Sequence, residues 1–137
     1  DAVMGAPYRF AYFPTTRPEA DLPDRGGYFY FGGLSKLDVG TGETRAWHAE
    51  GDAVVSPGSF VARPGGSDED DGWLLSYVLR EGGAEVVVLD ARRIEAGPIA
   101  TLALGTHLPG VSHVRWAGDV MLAALRGAAG LGYDAGP

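Results

Sequence analysis

Four consecutive carboxylates, Asp68-Glu69-Asp70-Asp71, and three histidines, His48, His107 and His113, are the side chains of this 137-residue chain best suited to hold a metal or move a proton. Like charges in a row repel, so the acidic run needs either a cation or a structural purpose. An EF-hand would require oxygen ligands at alternating positions, glycine at position six and Glu at twelve. With Asp68 as position one, Gly72 falls at five, a ligand position, and Leu79 falls at twelve, so that reading fails. Two readings stay open on residue chemistry. One is a solvated turn entering the apolar run Trp73-Leu-Leu-Ser-Tyr-Val78, where the charges deter wrong strand partners. The other gives Glu69, Asp70 or Asp71 a metal-binding or catalytic role. A lone histidine beside apolar residues is more often a core or surface residue than a ligand. Nucleophilic catalysis finds no support, because the chain has no cysteine, no G-x-S-x-G and no Ser/His/Asp grouping beyond chance. Gly26-Gly27 and Gly32-Gly33 are too sparse for a phosphate loop and suit strand ends better.

Composition narrows the function classes. The length allows one domain at most, burying roughly two-thirds of the unfolded surface. A net charge of −7 argues against nucleic acid and anionic membrane as partners, since both select basic surfaces. Lack of cysteine excludes disulfides and thiolate metal sites and is compatible with a reducing, cytoplasmic setting. No apolar run approaches the roughly 18 residues of a membrane span, and the N-terminus lacks a signal-peptide pattern. The chain begins with Asp1 rather than Met, which reads as part of a longer reading frame.

The elements that must position these residues are strands. Twenty-two glycines and nine prolines point to short elements joined by tight turns. Tyr8–Phe13 is aromatic-rich and reads as a strand ending at Pro14. Tyr28–Phe31 and Leu34–Val39 follow, then a turn at Gly40-Thr-Gly42 and the β-prone run Glu43–His48, a hairpin pattern. A second hairpin joins Trp73–Leu79 to Glu85–Leu89 through Arg80-Glu-Gly-Gly83. Tyr28–Phe31 and Trp73–Val78 are expected to pack inward. Ile99–Leu104 and Val111–Trp116 add two more expected strands. Asp119–Ala129 reads as a short C-terminal helix with Asp119 as N-cap and Gly130 beyond its end. Leu37-Asp38 recurs as Leu89-Asp90, 52 positions on, at the end of a strand in each case. That spacing is near the period of a β-propeller blade of four strands. Two blades cannot close a ring and would leave long unpaired edges.

Longer strings carry more than spacing does. Phe60-Val-Ala-Arg-Pro-Gly-Gly-Ser-Asp-Glu-Asp-Asp-Gly-Trp-Leu-Leu-Ser-Tyr-Val78 resembles FVPRPGAxxEDDGWLLSxV, a segment near the C-terminus of carotenoid cleavage oxygenases, the family of the lignostilbene dioxygenases and the retinal-pigment isomerase. Val86-Val-Val-Leu-Asp-Ala91 is similar to that family's LVVLDA, and Gly97–Leu104 to its xPVAxVxLP. Upstream, Tyr8–Tyr12 resembles RYxY, and Gly33–Glu43 resembles GLxKLDLxTGE. The likeness spans about residues 7 to 116. On it, the chain divides into C-terminal propeller blades at 1–116 and a divergent tail at 117–137.

The resemblance implies an all-β fold, part of a seven-bladed propeller whose axis carries Fe(II) held by four histidines. It further implies oxidative cleavage by O₂ of a conjugated double bond in an apolar carotenoid, apocarotenoid or stilbene. Neutral imidazoles suit that metal because they add no charge and leave coordination positions open. The family's last ligand lies in a motif like VPxGFHGxW, and Leu108-Pro-Gly-Val-Ser-His-Val-Arg-Trp116 matches its Pro, His and Trp spacing. His113 is thereby the candidate metal ligand, and His48 and His107 are read as surface residues. The acidic run becomes a family landmark with a structural role. Where the family reads GEPxFV, with a Glu that accepts a hydrogen bond from a ligating imidazole, this chain has Ser56-Pro-Gly-Ser-Phe60, with Pro57 at the Glu position. Val114 replaces the Gly after the ligand. The family's other ligands lie upstream, so the chain is not expected to hold iron alone. Two function classes remain: the C-terminal part of an Fe(II) dioxygenase, or a non-catalytic fragment or binding module that kept the blades and lost the iron site.

Overall fold

The computed structural model describes residues 7–17, 31–108, 110–111 and 113–118. Phe10–Thr15 (β1), Gly33–Asp38 (β2) and Thr44–His48 (β3) form one antiparallel sheet in that order. Val54–Val55 (β4), Ser59–Ala62 (β5), Gly72–Arg80 (β6), Gly83–Asp90 (β7) and Pro98–Ala103 (β8) form a second, in which β4 and β5 both pair with β6, followed by β7 and β8. A single 3₁₀ turn, Ile94–Ala96, links β7 to β8.

Residue types explain the strands. Along β6, Leu74, Ser76 and Val78 are buried while Trp73, Leu75 and Tyr77 are half-buried, the period of two that a pleated strand imposes. Both expected hairpins form. In the first, the N–H groups of Gly40 and Gly42 bond to Asp38 Oδ1 at 2.9 Å and to its carbonyl at 2.7 Å, with Gly42 at φ +76°, a conformation open to glycine. The second turns between Arg80 and Gly83. The internal similarity also holds at atomic scale. Asp90 Oδ1 accepts the Arg92 N–H at 2.9 Å, the same local turn that Asp38 makes.

The core lies between the two sheets. Leu34 from the first meets Val55, Leu74, Val78, Leu89 and Ile94, all essentially inaccessible to water. Tyr12, Trp47 and Phe60 close its margin. Tyr12 stacks on Phe60 at 6.0 Å between centroids, and its hydroxyl donates to the Ala91 carbonyl at 3.1 Å, tying β1 to the second sheet.

Three expectations change. β1 does not stop at Pro14 but runs through it to Thr15. It is an edge strand among the described residues, so the missing N–H of Pro14 need not cost a ladder bond. Trp73–Val78 packs inward with alternate residues only. Val111–Trp116 is not a strand in its described residues, because the Trp116 N–H bonds Ser59 Oγ at 2.8 Å instead of a neighbouring ladder. The helix expected over Asp119–Ala129 and most of Tyr28–Phe31 lie outside the described residues; Phe31, at the margin, gives its carbonyl to the Val55 N–H at 2.7 Å.

Candidate functional site

Each carboxylate of the acidic run has its own partner. Asp68 Oδ2 takes the Arg92 guanidinium at 2.6 Å. Glu69 reaches across to the first sheet and accepts the backbone N–H groups of Arg9 and Phe10 at 2.8–3.0 Å, capping the start of β1. Asp70 Oδ2 holds Lys36 Nζ of β2 at 2.6 Å, and Lys36 is itself buried. Asp71 binds Arg63 Nε at 2.9 Å. Arg92 also lies 3.8 Å from Asp70 and 3.5 Å from Asp71, so one guanidinium serves three of the four. The like charges are therefore compensated: the run is a turn entering β6, as expected, but only Asp68 is largely solvated, while Glu69 and Asp70 clamp it to the first sheet. Lys36 Nζ sits 4.1 Å above the Phe10 ring, which the same clamp holds in place.

Sequence reading found the carboxylates but not their partners. Lys36 and Arg92 are distant in sequence, whereas Arg63 stands eight residues before Asp71 in the same string; only Lys36, embedded in the string Gly33-Leu-Ser-Lys-Leu, carried a hint of burial. Gly72 completes the motif for a steric reason. A Cβ there would collide with the Val61 carbonyl oxygen and stand 2.7 Å from Phe60 Cζ. Beside the clamp, Arg9 and Asp38 pair at 2.7 Å, and the guanidinium holds the Asp38 carboxyl below the usual carboxylate range. Burial, followed by the charges of Asp70, Glu69 and Asp90, pushes the Tyr12 phenol up, so it stays neutral. A cleft of about 220 Å³ opens here, lined by four cations, three carboxylates and Phe10. Its mutually paired charges make it a poor seat for an apolar polyene.

The histidines do not converge. His48, half-buried at the end of β3, donates from Nε2 to the Thr16 carbonyl at 3.2 Å. His107 is exposed in the loop beyond β8. His113 is exposed in the irregular stretch whose Trp116 is anchored to β5. Among the described residues, no three His, Cys, Asp or Glu side chains are placed to hold one metal ion.

The family profile described as "Retinal pigment epithelial membrane protein" matches residues 1–118. The apocarotenoid-15,15'-oxygenase of Synechocystis sp. is 36% identical over 118 residues, 83% of this chain and 22% of that protein. The chain belongs to the carotenoid cleavage oxygenase family. Lignostilbene-alpha,beta-dioxygenase isozyme III of Sphingomonas paucimobilis is 29% identical, over 83% of this chain and 24% of its own length. The solved structure of cobalt-substituted Synechocystis apocarotenoid oxygenase superposes with a TM-score of 0.72 at 34% identity, covering 82% of this chain and 23% of that one. The two sheets are thus part of the β-propeller of a carotenoid cleavage oxygenase, and the chain spans about a fifth of the length of the curated relatives it matches.

Against that family pattern, Pro57 has no side-chain acceptor to orient an imidazole. The space between β4 and β5 holds a different polar device. Ser56 Oγ accepts the Tyr77 N–H at 3.0 Å and meets Ser76 Oγ at 3.1 Å, while Ser76 Oγ donates to the Ser56 carbonyl at 2.8 Å. Among the described residues His48, His107 and His113 are not brought together, and a self-contained iron centre needs several preorganised donors with their supporting hydrogen bonds. Among those residues, no helix is long and apolar enough to cross a membrane.

Proposed function

We propose that the chain is the C-terminal part of a non-haem Fe(II) dioxygenase that cleaves a conjugated double bond of a carotenoid, apocarotenoid or stilbene with O₂. The observation that carries this reading is the family match over residues 1–118, supported by the 36% identity to an apocarotenoid oxygenase. In the proposal residues 1–116 are blades and 117–137 a divergent tail. His113 supplies one imidazole to an iron whose remaining ligands come from polypeptide upstream, in a cytoplasmic protein. The paired charges of the acidic clamp belong to the frame and not to the chemistry.

One observation favours a second reading. Pro57 replaces the expected acceptor, and loss of such an orienting partner typically lowers metal affinity or activity by roughly 10- to 100-fold. The alternative is a non-catalytic fragment or binding module that kept its blades. Iron analysis after desalting, run beside an oxygen-uptake assay, separates the two. The 137-residue chain alone is expected to retain less than one equivalent of iron and to cleave neither stilbene nor carotenoid. Restored with its upstream blades it should retain iron and take up oxygen, and His113→Ala should abolish retention while His48→Ala and His107→Ala leave it intact. A restored protein without iron or turnover would favour the non-catalytic reading, and iron retention in His113→Ala would sink the ligand assignment.

A further inference from the structure

The stretch that carries His113 has no strand ladder among its described residues, so sheet pairing does not fix its course. One tie is explicit. The Trp116 N–H donates to Ser59 Oγ at 2.8 Å, across 57 positions of sequence. The Trp116 side chain is 52% exposed, so the indole does not anchor the stretch by burial. Trp116 lies three positions beyond His113, and even a fully extended chain spans only about 10 Å over that length. Holding the Trp116 amide therefore confines the His113 imidazole.

The acceptor stands on a stiff platform. Ser59 is paired with Leu75 of β6, and its neighbour Phe60 stacks on Tyr12. On the other side, a Cβ at Gly58 would lie 3.3 Å from Leu34 Cδ1, so the backbone there is pressed against the core. Just before it, the buried hydroxyls of Ser56 and Ser76 are mutually bonded, and a satisfied buried network stiffens the chain that carries it. A serine is a short acceptor with few rotamers to lose when it bonds. Against the family pattern the segment lacks a carboxylate at Pro57, and Ser59 stands two positions on. A carboxylate there would grip the imidazole directly, whereas Ser59 grips the backbone three residues past it.

We propose that Ser59 is a positioning residue for His113: its hydroxyl pins the Trp116 amide to β5 and so sets where the imidazole points. The inference rests on the reading of His113 as one iron ligand, but it concerns order in the stretch before any metal binds. Selective isotopic labelling of Trp and His amides tests it, because the chain has three residues of each type. Trp47 and His48 of β3 and Trp73 of β6 serve as internal controls of the fold. In the metal-free chain the Trp116 and His113 amides should both show order parameters of about 0.85, the value of rigid backbone. Ser59→Ala should bring both below about 0.6 and speed Trp116 amide exchange by roughly fivefold, while the control amides keep the parent's values. Ser59→Thr, which restores a hydroxyl and suits a strand, should return both amides to order. Trp116→Pro, which deletes the donor N–H and leaves Ser59 in place, should loosen His113 as Ser59→Ala does. If Ser59→Ala disturbs the controls, Trp116→Pro is read in its place. If the isolated chain gives no dispersed spectrum, the same labels are read in the polypeptide restored with its upstream blades. A His113 amide that is disordered in the parent overturns the proposal, as does one that stays ordered in Ser59→Ala. Failure of Ser59→Thr to restore order overturns it too. In the restored polypeptide loaded with Fe(II), Ser59→Ala should speed iron loss to a chelator by roughly tenfold, and Ser59→Thr should reverse the change. An unchanged rate beside a loosened His113 would also overturn it. A restored polypeptide that binds no iron while the labelled amides respond as expected leaves the placement of His113 standing and counts against the proposed function alone.

Discussion

Lys36 and Asp70 show what decides the strength of a charge pair. Lys36 Nζ and Asp70 Oδ2 are 2.6 Å apart with side chains 7% and 15% exposed, whereas the Asp68 side chain in the same run is 66% exposed. Removing one member of a buried pair strands the other without water, at a cost of about 3 kcal/mol, while an exposed pair is worth less than about 1 kcal/mol. Asp70→Asn is therefore expected to lower stability in urea by about 3 kcal/mol, and Asp68→Asn by under about 1 kcal/mol, despite their equal formal charge. Asp38 gives a pH signature. Its carboxyl pKa is depressed by the hydrogen bond from Arg9, so its contribution is present above the ordinary value of 3.8 and is lost as pH falls through the depressed one. The melting-temperature gap between the parent and Asp38→Asn should be open at neutral pH and close as the pH drops below 3.8.

At the scale of elements, Gly72 limits how β5 can approach β6. The Val61 carbonyl and the Phe60 ring occupy the space a Cβ would need, and neither can move without breaking the β5–β6 ladder or the stack on Tyr12. Gly72→Ala should cost about 2–3 kcal/mol through overpacking, read as a lower urea midpoint with an unchanged slope. Gly42→Ala would test left-handed backbone strain alone, because nothing lies within 4 Å of a Cβ there.

For the whole molecule, the acidic run joins the apolar core and the Tyr12–Ala91 hydrogen bond in fastening the sheets together. Replacing Asp68 through Asp71 with Asn and Ser leaves Lys36 buried without a counter-ion and β1 without the Glu69 cap. The melting temperature should fall by roughly 10–20 °C. Retention of added Ca²⁺ or Fe²⁺ by the chain should be unchanged, measured after desalting. Loss of metal in step with the substitutions would return the cluster to a ligand role.

Local signals determined much of this protein. Period-two apolar runs set β6 and β7, and the Gly40-Thr-Gly42 and Arg80–Gly83 turns set the hairpins, because turn chemistry and alternation act between near neighbours. The strings around Asp68–Trp73 also identified the family. Val111–Trp116 misled because β-prone residues become a strand only when a partner ladder is available, and there Ser59 Oγ takes the Trp116 N–H instead. Of the candidate site, sequence singled out His113 and the acidic run, but not where their neighbours lie. Only the tertiary structure decided that Lys36 and Arg92 join the nearby Arg63 in neutralising that run, and that Glu69 caps a strand some sixty residues upstream. Long-range charge pairing leaves no periodic trace, since its energy depends on distance and burial after the sheets have met.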